Sequence, residues 1–235
     1  MKLRLMICAA AASTALFATE DANSATYAVM NVTNAYTDTV IAVPWVGFNG
    51  SAITISNLVN TSTLTAGDKL YMYDGSDGNW YECTKNAEGQ WEGSTTVSGA
   101  SSLNAASQTV GRGTGLILQR AASGAGGTVL LAGRVGTGDV TTTIAANGKT
   151  LFANPKSELV NITVGNVGDK ISVPGNGGTM KTYEMKSDGW YETVTDDSFG
   201  FPVTRMQKIA TGVPLAAGNG AFYENKGSSA VIIEW

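Results

Sequence analysis

Histidine is absent from this chain of 235 residues, and only two cysteines occur in it. Without histidine there is no Ser-His-Asp or Cys-His pair, no imidazole acid or base, and none of the commonest zinc or copper ligand sets. Charge is sparse as well, at 14% of residues. The 15 Lys and Arg against 19 Asp and Glu leave a formal charge of −4 and no basic cluster, which argues against a nucleic-acid partner. Long apolar runs are missing except at the start. There Lys2 and Arg4 precede an uncharged stretch from Leu5 to Ala18, and small residues follow at Ala22-Asn23-Ser24 or Asn23-Ser24-Ala25. This layout predicts a secretory signal peptide over residues 1–24, whose apolar run is too short to span a membrane. Ile7 is too bulky to precede a lipoprotein cysteine at Cys8.

Removal of the leader takes Cys8 with it and leaves no integral membrane segment. The expected location is secreted: extracellular, cell-surface or periplasmic. Cys83 then stands alone in an oxidising compartment, with no intramolecular disulfide available.

What remains is rich in Gly, Thr, Ser, Asn, Ala and Val. Thr and Val favour pleated strands, while Gly and Asn favour turns. The chain also repeats itself. Gly67-Asp68-Lys69-Leu70-Tyr71-Met72-Tyr73, then Trp80-Tyr81-Glu82-Cys83, then Gln90-Trp91-Glu92 read as three short strands. The pattern returns at Gly168-Asp169-Lys170-Ile171-Ser172-Val173, Tyr183-Glu184-Met185 and Gly189-Trp190-Tyr191-Glu192. The expected fold is therefore all-β with few or no helices. It consists of two tandem, internally duplicated antiparallel lobes over residues 25–135 and 136–235, packed as a sandwich or barrel-like pair. Thr95 to Gln108 reads as a long surface loop, and Ser56 to Val59 as one helical turn.

Aligning Tyr81-Glu82-Cys83 with Tyr183-Glu184-Met185 sets Cys83 against Met185, which marks a buried apolar filler rather than a reactive thiol. Alternation sends Leu70, Met72, Ile171 and Val173 to the cores. Tyr71 and Tyr73 lie on the opposite side, where the second copy has Ser172 and Pro174. They either cover the junction between lobes or, with Trp80, form an exposed surface that binds a glycan.

Other candidates fade on inspection. Glu82, Glu88 and Glu92 are close enough in sequence to suggest glycoside hydrolysis, but carboxylates that recur in both copies suit strand faces or cross-strand lysine pairs. Asp74 to Asn79 has the look of a calcium loop without its ligand spacing. Gly111-Arg112-Gly113-Thr114-Gly115 precedes a strand and lacks the Lys-Ser/Thr of a phosphate loop. No catalytic residue, metal or cofactor is expected, and the chain is not read as an enzyme.

Three boundary strands are expected: Thr26 to Thr33, Thr128 to Val135, and Ser229 to Trp235. Either the first and last pair within the chain, or the first strand of one subunit completes the sheet beside the last strand of the next. Tyr27, Val29, Val231, Ile233 and Trp235 would carry that contact. The leading expectation is a secreted structural or assembly protein of the cell surface or extracellular matrix, with self-association as its partner interaction. The alternative is a carbohydrate-binding β module.

The Thr-Ala-Gly-Asp-Lys-Leu-Tyr run at 65–71, the Gly-x-Trp strand, Arg112-Gly113-Thr114-Gly115-Leu116, Phe152-Ala153-Asn154-Pro155 and the strand ending in Trp235 carry a resemblance. The chain resembles a group of uncharacterised secreted bacterial proteins that occur as expanded paralogous sets, over about the whole mature length. The resemblance implies export and a surface role, and brings no site residues. Some relatives carry a C-terminal sorting anchor; none is expected after Trp235.

Overall fold

The computed structural model describes residues 5–7, 13–18, 27–34, 38–43, 45–46, 53–58, 64–74, 78–93, 100–104, 107–121, 127–136, 139–156, 158–174, 180–196 and 203–235. Their regular structure is nearly all strand, and their one helix is the single turn α1 (Ile55–Leu58). The fold is all-β, built of open sheets.

The stretch around Gly67 forms a hairpin of β7 (Lys69–Asp74) and β8 (Asn79–Lys85), along which β9 (Trp91–Gly93) returns. On the other side of β7 lies β12 (Gly115–Gln119), followed by β4 (Asp38–Ala42). A second six-stranded sheet has the order β15 (Lys149–Ala153), β22 (Gly220–Glu224), β17 (Lys170–Pro174), β18 (Met180–Lys186), β19 (Gly189–Asp196) and β20 (Val203–Lys208). Thus β4, β12, β7, β8 and β9 stand in the same order as β15, β22, β17, β18 and β19. Each sheet has a small ribbon beside it, β6 (Ile53–Thr54) with β11 (Thr109–Val110), and β16 (Val160–Ile162) with β21 (Val213–Leu215).

Two longer ribbons complete the set. In one, β3 (Tyr27–Asn34) pairs with β13 (Gly127–Val135); in the other, β14 (Thr141–Ile144) pairs with β23 (Val231–Glu234). The first is widened by β5 (Trp45–Val46) on β13, and by β2 (Ser13–Ala18) and then β1 (Leu5–Ile7) on β3.

The structure departs from expectation in three places. The stretch from 95 to 108 is more than a surface loop. Its β10 (Ala100–Ser102) adds to β8 in parallel, and Leu103 is buried with its N–H on the Glu82 carbonyl at 2.8 Å. A strand of Ala and Ser has no apolar alternation to betray it. Second, the hairpins are matched two residues out of the expected register. Leu70 faces Cys83 where Ile171 faces Tyr183, and Lys85 faces Trp91 where Met185 faces Trp190. Cys83 thus corresponds to Tyr183 rather than to Met185. A shift of two returns every side chain to the same face, so the apolar pattern is blind to it. Third, β3 and β23 do not pair with each other. Each lies beside a neighbour of its own ribbon, and β14 occupies in the second ribbon the place of β3 in the first. The boundary strands therefore come in two pairs rather than as an odd three.

Each large sheet buries one face in its own core. Ile41, Leu70, Met72, Cys83, Leu116 and Leu118 pack with Ile53, Ile55, Leu58 and Leu103 on one side of the molecule. Ile171, Tyr183, Met185 and Tyr223 pack with Trp190, Ile162, Val213, Ile233 and Trp235 on the other. The sheets meet through the opposite faces. A Cβ on Gly115 would lie 2.9 Å from Leu151 Cγ, and one on Gly220 would collide with Val40. These equivalent glycines let β12 approach β15 and β22 approach β4 where side chains would hold them apart. The backbone bonds there are reciprocal. The Ala42 N–H donates to the Gly218 carbonyl at 3.1 Å, and Ala153 to Gly113 at 2.8 Å. The bridges Ile41 to Asn219 and Thr114 to Phe152 follow the same exchange.

Candidate functional site

Tyr71, Tyr73 and Trp80 lie on the face of the first sheet turned toward the second, and all three are half-buried. Tyr73 pairs with Trp80 across the hairpin, their rings 5.1 Å apart. Phe222 of β22 comes against both, at 5.9 Å from Tyr73 and 6.3 Å from Trp80, nearly parallel to the indole. Ile117 holds the place of Phe222 in β12, and Pro174 and Met180 hold the places of Tyr73 and Trp80. The aromatic positions of the first repeat at this junction are therefore non-aromatic at the equivalent positions of the second. Tyr71 stands apart from this trio, its hydroxyl donating to Gln119 Oε1 at 3.2 Å. Phe222 escapes the sequence reading because its strand lies over a hundred residues away and only the fold brings it near.

The carboxylates with a catalytic look are held by cations or amides. Glu82 is fully buried and pairs with Lys69 at 3.0 Å. Glu92 accepts from Asn86 Nδ2 at 2.7 Å, Glu184 is bound to Lys186, and Glu192 to Lys181. The Lys186 bond holds the Glu184 carboxyl below its ordinary range. Glu88 is exposed. Residues 75–77 of the calcium-like turn lie outside the described residues, as does the Gly47 to Gly50 turn. Among the described residues no group of three His, Cys, Asp or Glu is placed to hold a metal ion.

Two buried aspartates that the sequence reading passed over are each held by three partners. Gly67 and Gly168 take φ of 90° and 92°, a turn conformation open to glycine, and each delivers the next residue inward. Asp68 accepts from the Thr65 and Ala121 amides at 2.8 and 2.7 Å and pairs with buried Arg120 at 3.1 Å. Asp169 accepts from the Asn166 and Lys226 amides at 2.6 and 2.7 Å, and from the Tyr223 hydroxyl at 2.7 Å. The repeated Gly-Asp was the signal for them. Both aspartates clamp the end of the central strand, β12 or β22, to the turn before the hairpin. Burial, with the bond to Asp169, pushes the Tyr223 hydroxyl far above the ordinary tyrosine range.

Cys83 is fully buried, and burial pushes its thiol up to about 12, with the Leu70 backbone acting against the shift and Glu82 adding to it. A thiol so held is not a nucleophile near neutral pH. Trp91 and Trp190 are core anchors, at 8% and 1% exposure.

The strand residues expected to mediate assembly have partners inside the chain. Tyr27 pairs with Arg134 and Val29 with Ala132, while Val231 and Ile233 pair with Ile144 and Thr142. Trp235 is buried, its indole N–H donating to Thr142 Oγ1 at 2.8 Å. These bonds use one edge of each strand. On its other edge β3 meets β2, and β23 has no second strand among the described residues. No family model, curated protein or solved structure matches this chain.

Proposed function

We propose that this chain is a secreted, non-catalytic structural protein of the cell surface or extracellular matrix, and that copies of it associate by adding strands at their sheet edges. The leader-like composition of residues 1–24 supports export, and the matching strand order of residues 25–135 and 136–235 supports an internal duplication. The state of two edges carries the assembly reading. The strand β23 pairs with β14 alone among the described residues, and the outer edge of β3 is covered by a strand that lies within the leader. Loss of the leader leaves both with backbone groups in need of partners. Laying β3 of one copy beside β23 of the next satisfies them, and such a heterologous contact propagates as a filament unless its rotation closes a ring.

Charge supports the choice of edges. Tyr27–Asn34 carries no charged residue and Val231–Glu234 carries only Glu234, whereas the β20 edge bears Arg205 and Lys208. Charged side chains are the usual defence of an edge against strand addition. Trp235 N–H bonds to Val140, so alternation turns the Ile232 N–H away from β14. Ile232→Pro removes an outward donor and leaves the β14–β23 ladder intact. The mature chain should form filaments visible by electron microscopy, and the proline variant should remain folded but stay monomeric. Filaments from the variant, or a monomeric parent at high concentration, would refute the reading.

The half-buried Tyr73 and Trp80, with Tyr71 on the same face, favour a second reading, carbohydrate binding at the rim of the sheet junction. Glycan-array binding that disappears in Tyr71→Ala with Tyr73→Ala would promote it.

A further inference from the structure

We infer that the leader doubles as a strand cap, its Ser13–Ala18 segment covering the assembly edge of β3 until the leader is removed. The inference rests on the assembly reading above and concerns the regulation of the same edge. In the full chain β2 runs antiparallel to β3, from Ser13 opposite Val32 to Ala18 opposite Tyr27, and covers six of the eight β3 residues. A second leader strand, Leu5–Ile7, pairs back onto Leu16 to Ala18, so the edge is covered by a hairpin rather than by one loose segment.

The inner edge of β3 is paired with β13 from Tyr27 to Asn34 and does not depend on the leader. Hydrolysis of one peptide bond near residue 24, with water as co-reactant, would release the cap and leave the β3–β13 ladder standing. The corresponding strand of the other ribbon, β14, has no covering strand among the described residues. The cover occurs at the one ribbon edge next to the leader. It also suits the edge chemically, because neither Ser13–Ala18 nor Tyr27–Asn34 carries a charge and both supply the backbone pairing that an uncharged edge invites. Exported chains would thus acquire a joining edge only on losing their leader, and precursors would not assemble inside the cell.

Hydrogen exchange over residues 27–34 tests the cap, and sedimentation tests assembly. Three proteins are compared: the full chain with its leader, residues 25–235, and the full chain carrying Ala15→Pro with Leu16→Pro. The paired prolines remove one donor toward β3 whichever of the two faces it. Below the assembling concentration, the outward β3 amides of the full chain should exchange at least about tenfold more slowly than those of 25–235, and the double-proline chain should match 25–235. At higher concentration the full chain should stay monomeric while the other two assemble. Equal exchange in all three proteins, or a full chain that assembles as readily as 25–235, overturns the cap. A monomeric 25–235 with the exchange difference intact supports the cap and overturns the assembly reading.

Discussion

Tyr223 and Cys83 are single buried groups from which an alkaline limit to stability is expected. Both hold their protons in the fold well above the ordinary values of 10.0 and 9.0, chiefly through burial. A raised folded-state pKa gives stability that is complete below the unfolded value and is lost as pH rises toward the folded one. The unfolded chain releases these protons from about pH 9 upward, whereas the folded chain keeps them, so stability should decline through pH 9 to 11. Tyr223→Phe removes the tyrosine share of that decline. It should cost about 1.5 kcal/mol at pH 7.5, the worth of a buried bond to a carboxylate, and yet flatten the fall between pH 9 and 11. Urea unfolding at the two pH values checks this; an unchanged alkaline slope would show that Tyr223 is not held as the structure has it. Asp169 is the reason the tyrosine matters, since it also holds two backbone amides.

Among the elements, the approach of β22 to β4 is the place where one methyl group decides packing. Gly220 has no room for a side chain because Val40 and the Phe152 carbonyl close over it, the carbonyl 2.9 Å from the position a Cβ would take. Gly220→Ala should therefore destabilise by about 2 kcal/mol, as overpacking of a filled interior does. The entropic effect of the substitution has the opposite sign, since alanine restricts the unfolded chain and stabilises where it fits. Denaturation midpoints distinguish the two at once. By contrast, Gly111 has open space around it, and Gly111→Ala serves as a control expected to lie within about 0.5 kcal/mol of the parent.

For the whole molecule, the decisive contact is the reciprocal one between the two sheets. Each core has its own apolar cluster, so the first could form without the second. What the first would lose is the cover that Leu151, Phe222 and the Gly218 carbonyl give its outer face. A fragment of residues 24–136 should be soluble but less stable than the full chain by about 3 kcal/mol or more, from two large apolar contacts uncovered. Equal stability of fragment and whole would mean that the halves are independent beads.

The sequence by itself determined the all-β class, the hairpins at Lys69–Lys85 and Lys170–Lys186, and which of Leu70, Tyr71, Met72 and Tyr73 turn inward. Those features are local: alternation of period two, β-branched content and glycine turns act over a few residues. It left open what alternation does not encode. A period of two assigns a face but not a register, so Cys83 was set against Met185 while the ladders set it against Tyr183. A strand of small polar residues such as Ala100–Ser102 shows no pattern at all, and its place beside β8 comes from backbone bonding. The partners of β3 and β23, the placing of Phe222 against Tyr73 and Trp80, and the meeting of Asp169 with Tyr223 join residues dozens to more than a hundred positions apart. Only closure of the sheets brings such groups together, because the free energy that selects them comes from burial and completed hydrogen bonds, and neither exists until the chain has folded.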